Sequence, residues 1–289
     1  MTSVRTFAAL LATGLVACGG QPEAPSPSTT PLGYSVPVRT PIEYSSSDTA
    51  RINIEVQPGM SMEQTMGQSS HVRFSFAPTV GTDGNLSVTA TYVDFAAYAE
   101  SSMAPRQDID GSMLEGGEFV LSLSPDGEVD QVSGPELPEV IEGLTMGGDN
   151  LFADFFVRLP NRLVQPGESW TDTISAVTEE EGARSENTTI VVSTFRGDTT
   201  VAGRRLWIID ATKSAAVLVE GNMQGMEMRN ELSGTVTEHA LWDPNLRAIY
   251  SSSAQGSMTG TLDVPSAGMT GIPISVSNHR RIRLVESAN

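Results

Sequence analysis

The longest uninterrupted pattern in this 289-residue chain is an alternation of period two. Met226, Met228, Asn230, Leu232, Gly234 and Val236 occupy one phase. Glu227, Arg229, Glu231, Ser233, Thr235 and Thr237 occupy the other. Successive side chains of a strand point to opposite faces, so this run dictates a strand with one apolar and one polar face. The signal recurs at Ile52, Ile54 and Val56, at Val72, Phe74 and Phe76, at Leu86 to Tyr92, and at Phe119, Leu121 and Leu123. It returns at Ile190 and Val192, at Leu206 and Ile208, at Met258 to Val264, and at Ile282 and Leu284. Gly81-Thr82-Asp83-Gly84, Pro125-Asp126-Gly127 and Trp242-Asp243-Pro244-Asn245 punctuate these runs as turns. Such alternation belongs to antiparallel sheets buried on one side. The expected fold class is mainly β, a large curved antiparallel sheet or half-barrel.

The middle of the chain reads differently. Val140, Ile141 and Leu144, then Leu151, Phe152, Phe155, Phe156 and Leu159, recur at spacings of three and four. That spacing predicts two short helices in residues 135–160, broken at Gly147-Gly148, covering one end or one face of the sheet. Residues 49–289 then form the β-rich domain, either one unit or two sub-halves, 49–134 and 168–289, joined by the helical segment. Gly59-Met60-Ser61-Met62 and Gly225-Met226-Glu227-Met228 each open a strand that leads to a histidine and a proline turn. A duplication and chance likeness of Met-rich strands both account for this.

Before the alternation begins, the chain has another character. Arg5 precedes an apolar stretch from Phe7 to Val16, which is shorter than the roughly 20 residues a membrane span needs. Leu15-Val16-Ala17-Cys18 follows, and Cys18 is the only cysteine. This string resembles the lipobox of bacterial lipoproteins. The resemblance implies a signal peptide over residues 1–17, cleavage before Cys18, a diacylglyceryl thioether on its sulfur and acylation of the new amine, palmitate being one such chain. Several acyl chains, at about 0.8 kcal/mol per buried methylene, make a durable anchor to a membrane. Gly19 is not an aspartate, which favours the outer membrane of the cell envelope. Pro22, Pro25, Pro27, Pro31, Pro37 and Pro41 mark residues 18–48 as a tether rich in Pro, Ser and Thr.

The formal net charge is −18, and loss of Arg5 with the leader makes it −19. Phosphate backbones repel such a chain, so nucleic acid is not an expected partner. Lys213 is the only lysine. With one cysteine, the domain has neither disulfides nor thiolate metal sites. His71, His239 and His279 lack the local spacing of a zinc site. Asp108-Ile109-Asp110-Gly111 and Asp126-Gly127-Glu128-Val129-Asp130 fall short of a calcium loop and read as turns. Gly167-Glu168-Ser169-Trp170 lacks the closing glycine of a nucleophile elbow and leads into a strand. No catalytic residue, metal or cofactor is expected, and the chain does not read as an enzyme.

Methionine is the compositional oddity, with 12 in the chain. Thioether side chains adapt to varied apolar shapes. Met60, Met62, Met66, Met226 and Met228 share strand faces, so they are candidates to line a compliant cavity for an apolar ligand or lipid. A core filled with methionine is the competing reading, and it goes with a structural or protein-interaction role in the envelope. Trp170 is expected to be buried. Leu159-Pro160 followed by Pro166-Gly167-Glu168-Ser169-Trp170, with Gly117-Glu118-Phe119 and Ser124-Pro125-Asp126-Gly127 before it, resembles a bacterial lipoprotein family whose domain has no assigned function. A curved sheet with helices over one side is also similar in architecture to the half-barrels of periplasmic lipoprotein carriers. These resemblances imply a fold and a location, not an activity.

Cys18→Ser is expected to move the chain out of the membrane fraction or leave it unprocessed; mature, lipid-anchored protein in that variant would remove the lipoprotein reading.

Overall fold

The computed structural model describes residues 26–57, 59–79, 84–135, 151–153, 155–180, 183–223 and 226–285. Twelve strands form one antiparallel sheet. They are β1 (Ile42–Gln57), β2 (Met60–Pro78), β3 (Leu86–Ser101), β4 (Ala104–Ile109), β5 (Glu118–Leu123) and β6 (Val129–Ser133), then β7 (Ser169–Glu180), β8 (Ala183–Val201), β9 (Arg204–Met223), β10 (Met226–Asp243), β11 (Ala248–Val264) and β12 (Met269–Val285). The spatial order is β6-β5-β3-β2-β1-β12-β11-β10-β9-β8-β7, with β4 beside β3. The path has two ends, so the sheet is not closed into a barrel.

The chain therefore enters at the middle of the sheet and builds outward to β6. It restarts at the far edge with β7 and meanders back until β12 pairs with β1. That ladder runs from Glu43 opposite Val285 to Ile54 opposite Ile274 and joins residues 49–134 to residues 168–289 as one sheet.

The register fixes two ends. The turns β1–β2, β7–β8, β9–β10 and β11–β12 lie together at a hairpin end. The starts of β1, β9 and β11 and the ends of β2, β8, β10 and β12 lie at the opposite end. There the inner face is plugged. Phe152, Phe155 and Phe156 stack against Phe74 of β2 with ring centroids 5.8, 4.8 and 5.6 Å away. Tyr34 meets Phe156 at 5.4 Å and Trp242 of β10 at 5.1 Å. Edge-on aromatic pairs of this kind add to the burial of their area.

Two irregular straps build the plug. Residues 151–153 and 155–168 form one, and residues 26–41 form the other. Ser28, Leu32 and Tyr34 are buried, and their amides donate to the carbonyls of Val164, Arg162 and Pro125 at 3.0, 2.9 and 2.8 Å. The expected tether of residues 18–48 is thus part of the fold from Ser26 onward, and β1 starts at Ile42 rather than at residue 49. Proline-rich composition says that backbone donors are few; Leu32 and Tyr34 decide that the segment docks.

The helical expectation is corrected. Among the described residues there is no α-helix, only a short 3-10 turn at Pro265–Ala267. The first predicted helix lies mostly outside the described residues. The second is a single turn, with Phe155 N donating to Phe152 O, and then an extended run. Leu159 N donates to Asp126 O and Asn161 N to Leu32 O, both at 2.8 Å, so the backbone bonds to other segments instead of to itself. Val157 is as buried as Phe156 although it falls off the helical face. Three consecutive buried side chains, Phe155, Phe156 and Val157, do not fit one face of a helix, so the spacing of three and four carries no period here.

The Pro166-Gly167 turn fits its sequence reading. Glu168 N donates to Gln165 O, and Gly167 has φ +86°, as a type II turn requires. Gly167 N and Phe195 N then hook the start of β7 onto β8. Trp170 follows half-buried, its Nε1 donating to Arg158 O at 3.2 Å.

Leu32→Ala is expected to cost about 2–5 kcal/mol in urea unfolding, as for a fully buried leucine. A loss near zero would return residues 26–36 to the role of a tether.

Candidate functional site

The inner face is the one that packs on the plug. Period two along β9 to β12 and β1 places Lys213, Glu238, Ser252, Arg280 and Asp48 on it. Glu238 sits in the phase of Val236 and Ala240, with Ala211 and Ala254 opposite it on the neighbouring strands. Those small neighbours leave room for longer side chains to converge. Lys213 Nζ lies 3.1 Å from Glu238 Oε2, and Arg280 Nη2 lies 3.8 Å from Oε1. Ser252 Oγ donates to Oε1 at 2.6 Å. Asp48 stands directly opposite Arg280 in the β1–β12 ladder. The Glu238 side chain is 2% exposed, that of Lys213 13% and that of Arg280 17%. Burial pushes the Glu238 carboxyl up, but Lys213, Arg280 and the Ser252 hydroxyl outweigh it and hold the group below the usual carboxylate range.

This polar layer divides the inner face. Toward the plug it meets Phe195, Ile209, Ala240 and Ile282. Toward the hairpin end, the inner positions of β9 to β12 and β1 carry no charged residue. Leu232, Ile274 and Val276 are buried there, with Ile52, Ile54, Val217 and Met258 packed half-buried around them. The strip is about 19 Å wide, the four ~4.8 Å spacings between five strands. Gly234 and Gly260 shape it. A methyl group at Gly260 would collide with the Glu231 carbonyl and one at Gly234 with the Ser257 carbonyl, so β10 and β11 bend closely over each other. The outer face of the same stretch is charged: Glu55, Glu63, Glu179, Glu220, Glu227 and Glu231 face outward among Arg51, Arg184 and Arg229.

The candidate methionines fall in two places. Met62 and Met66 are half-buried on the inner face of β2, and Met60 is 59% exposed at the hairpin tip. Met228 is half-buried on β10, with β11, β12 and β1 between it and β2. The Met226 side chain and Cys18 lie outside the described residues. Met258 joins the apolar strip, in phase with Gly260 and Leu262.

The histidines are on the outer face. His71 Nε2 pairs with Glu43 Oε2 at 3.0 Å, and Arg73 Nε takes the other oxygen at 2.8 Å. His239 Nδ1 pairs with Asp210 Oδ1 at 2.8 Å, and Arg196 Nε takes its other oxygen at 2.8 Å. Four strand spacings separate β2 from β10, so these sites do not meet. Ser253 stands beside His239 in register, but the neighbouring backbone amides serve the sheet ladder and leave no oxyanion cradle. Asp110 accepts from Ser112 N, and Asp126 accepts from the Ser124 hydroxyl, so both acidic loops are turns closed by their own side chains. Among the described residues no three His, Cys, Asp or Glu side chains gather as metal ligands.

The Lys213–Glu238–Arg280 layer escaped the sequence reading, although its signal is present. The sole lysine lies in phase with Ala211 and Ala215, and Glu238 lies in phase with Val236. A charge in the apolar phase of two strands needs a partner, and only the register says which. The sequence matches no protein-family model and no curated protein.

Glu238 also sets an acid limit. Its folded-state pKa is below that of the unfolded chain, about 4.3. The stability it adds is present above that value and is lost as pH falls through the folded pKa. The urea midpoint of the native chain is expected to fall over that window. Glu238→Gln removes the buried carboxylate that Lys213 and Arg280 share and is expected to cost about 3–5 kcal/mol at neutral pH, with a shallower acid slope. An unchanged slope would show the layer to be uncoupled from folding.

Proposed function

We propose that this chain is a non-catalytic binding protein of the cell envelope, held to a membrane by acyl chains on Cys18. Its inner groove takes the hydrocarbon part of a lipid or another apolar ligand. The supporting observation is the contrast between the two faces of the same strands. From the Lys213 row to the hairpin end, the outer face carries Arg51, Glu55, Glu220, Glu227, Arg229, Glu231 and Asp263 among mostly Ser and Thr, while the inner positions of the same five strands are uncharged and centred on Leu232, Ile274 and Val276. No described segment lies over Ile52, Ile54, Val217 or Met258 as the straps lie over the plug. Binding sites for apolar ligands are concave, apolar and furnished with a few polar groups, which the Glu238 layer supplies at the groove floor.

A second reading has its own support. Leu232 and Val276 are 4% and 3% exposed, so the strip is packed well enough to serve as a small core of an interaction scaffold.

Titration with a pyrene-labelled fatty acid separates the two. Saturable binding is expected. Met258→Glu, which puts a charge in the groove, is expected to weaken it at least about tenfold, or ~1.4 kcal/mol. Thr259→Glu, on the exposed outer face of the same strand, is expected to leave it unchanged. Equal binding by both variants would move the assignment to the scaffold.

A further inference from the structure

Basic side chains are scarce in this chain, and on the sheet they are usually matched. Acidic residues number 35 against 17 lysines and arginines. Arg73 pairs with Glu43, Arg106 with Asp108, Arg184 with Glu186, Arg196 with Asp210, Arg205 with Asp198 and Arg229 with Glu231. Three arginines break that habit. Arg51, Arg281 and Arg283 are exposed, and among the described residues no carboxylate pairs with any of them. All three lie on the outer face of the β1–β12 ladder. Arg283 stands opposite Ser45 and Ser251, Arg281 opposite Ser47 and Ser253, and Arg51 opposite Thr65 and Ser277. His279, opposite Thr49 and Gln255, fills the position between Arg281 and the level of Arg51.

The line they form is about 20 Å long, and its arginines follow at steps of about 7 and 13 Å, at ~3.3 Å per residue. Glu43, diagonal to Arg283, is already held by His71 and Arg73. Glu63 is diagonal to Arg51 without pairing to it, and with Glu55 it closes the line on the hairpin side. An unmatched guanidinium in an acidic chain is an anion site, and its planar fork takes sulfate or phosphate through two parallel hydrogen bonds. Three such charges spread over about 20 Å are too far apart for one anion and suit a linear chain of repeated charges. Around them stand hydroxyls and an amide, Ser45, Ser47, Thr49, Ser251, Ser253 and Gln255. These neighbours offer hydrogen bonds, but no ring on which a nucleotide base could stack and no apolar pocket for a protein anchor. Both strands of the ladder are paired on each side, so an extended peptide laid there would find no backbone partner.

We infer that the outer face of the β1–β12 ladder binds an anionic polysaccharide, a linear glycan carrying sulfate or phosphate groups, along the line from Arg283 to Arg51. Arg281 and Arg283 grip charged groups about 7 Å apart, and Arg51 takes one further along. The serine and threonine hydroxyls on either side meet the hydroxyls of the sugar. A net charge of −18 repels a polyanion over the rest of the molecule, so the line also sets the direction of the glycan, parallel to the strands. The site is on the face opposite the groove and does not depend on it.

The test is fluorescence anisotropy of short, fluorescein-labelled dextran sulfate titrated with the purified chain. Saturable binding is expected, with log K falling against log salt at a slope near −2, about 0.7 for each of three neutralised charges. Uncharged dextran is expected not to displace the probe. The variant Arg51→Gln with Arg281→Gln and Arg283→Gln is expected to bind at least about tenfold more weakly and to lose the salt slope. Its urea midpoint is expected to stay native, because the three side chains are exposed and unpaired. Arg106→Gln with Arg184→Gln and Arg229→Gln changes the net charge equally, away from the line, and is expected to bind like the native chain. Polyglutamate, oligothymidylate and phosphatidylglycerol vesicles are each expected to compete at least about tenfold more weakly than unlabelled dextran sulfate. Equal loss in the two triple variants would show diffuse charge rather than a site and overturns the proposal. So does a native chain that leaves dextran sulfate unbound, or a competitor of another class that matches it.

Discussion

The pairing of β1 with β12 is the constraint on which the rest of the structure depends. The chain starts in the middle of its own sheet, so its first strand has no second neighbour until the last strand is made. Glu43 to Ile54 then zip onto Val285 to Ile274. Without this ladder the molecule is two meanders, each with a long open edge, and exposed edges invite pairing with other chains. With it, one inner face runs from β3 to β8. The Asp48–Arg280 register pair lies inside the same ladder, and Arg280 reaches Glu238 two strands away. Closing the sheet brings Asp48 opposite Arg280, at the edge of a polar layer whose printed contacts lie within β9 to β12. Contacts between the first and last strands are the most distant in sequence, so this closure bears the largest loop-closure entropy in the fold.

The polar layer costs more than an apolar one would, because buried ion pairs repay their desolvation poorly. Its return is positional. Strand side chains have period two, so a slip of one residue moves Glu238 from the inner to the outer face. Lys213, Arg280 and the Ser252 hydroxyl would then lose their shared acceptor together. Apolar neighbours such as Val217, Leu232 and Ile274 tolerate small shifts, whereas a carboxylate held by two cations and a hydroxyl does not. The layer thereby fixes the register of β9 to β12 where most neighbouring inner positions are Ala, Gly and aliphatic residues that discriminate weakly.

Strand identity and facing were legible in the sequence because alternation is local. The Met228–Val236 alternation names the inner and outer faces of β10 correctly, and Pro166-Gly167 names its turn. The straps were not legible. Leu151 to Leu159 spell a helix by spacing, but the spacing of an apolar run says nothing once every side of it is covered, as Phe152, Phe155, Phe156, Val157 and Leu159 all are. Ser26 to Val36 look like a linker by composition, yet Leu32 is 0% exposed. In both cases the deciding partner is distant in sequence. The same limit hid the polar layer: Lys213 and Glu238 each stand out on their own strand, and only the register joins them. The five candidate methionines were chosen by strand face, which the structure keeps for Met62, Met66 and Met228, but face alone cannot say that three strands stand between β2 and β10.

The two halves of the inner face have different physical chemistry because they meet different loads. All the stacked rings of the plug, from Tyr34 and Phe74 to Phe156 and Trp242, sit where straps supply the opposing surface. Large rings need such a second layer to bury their area. Beyond Lys213, on β9 to β12 and β1, the inner residues are small or aliphatic apart from Asn230 and Asn278, and β10 and β11 approach closely at Gly234 and Gly260. Stability is therefore concentrated at one end. The other end keeps an uncharged surface whose half-buried members, Ile52, Ile54, Val217 and Met258, still have apolar area to lose to a ligand. At about 25 cal/mol per Å² buried, that remaining area is what a hydrocarbon chain would gain by entering. Pinned by its straps at the plugged end, the sheet holds the far end of the same strands without a second layer among the described residues.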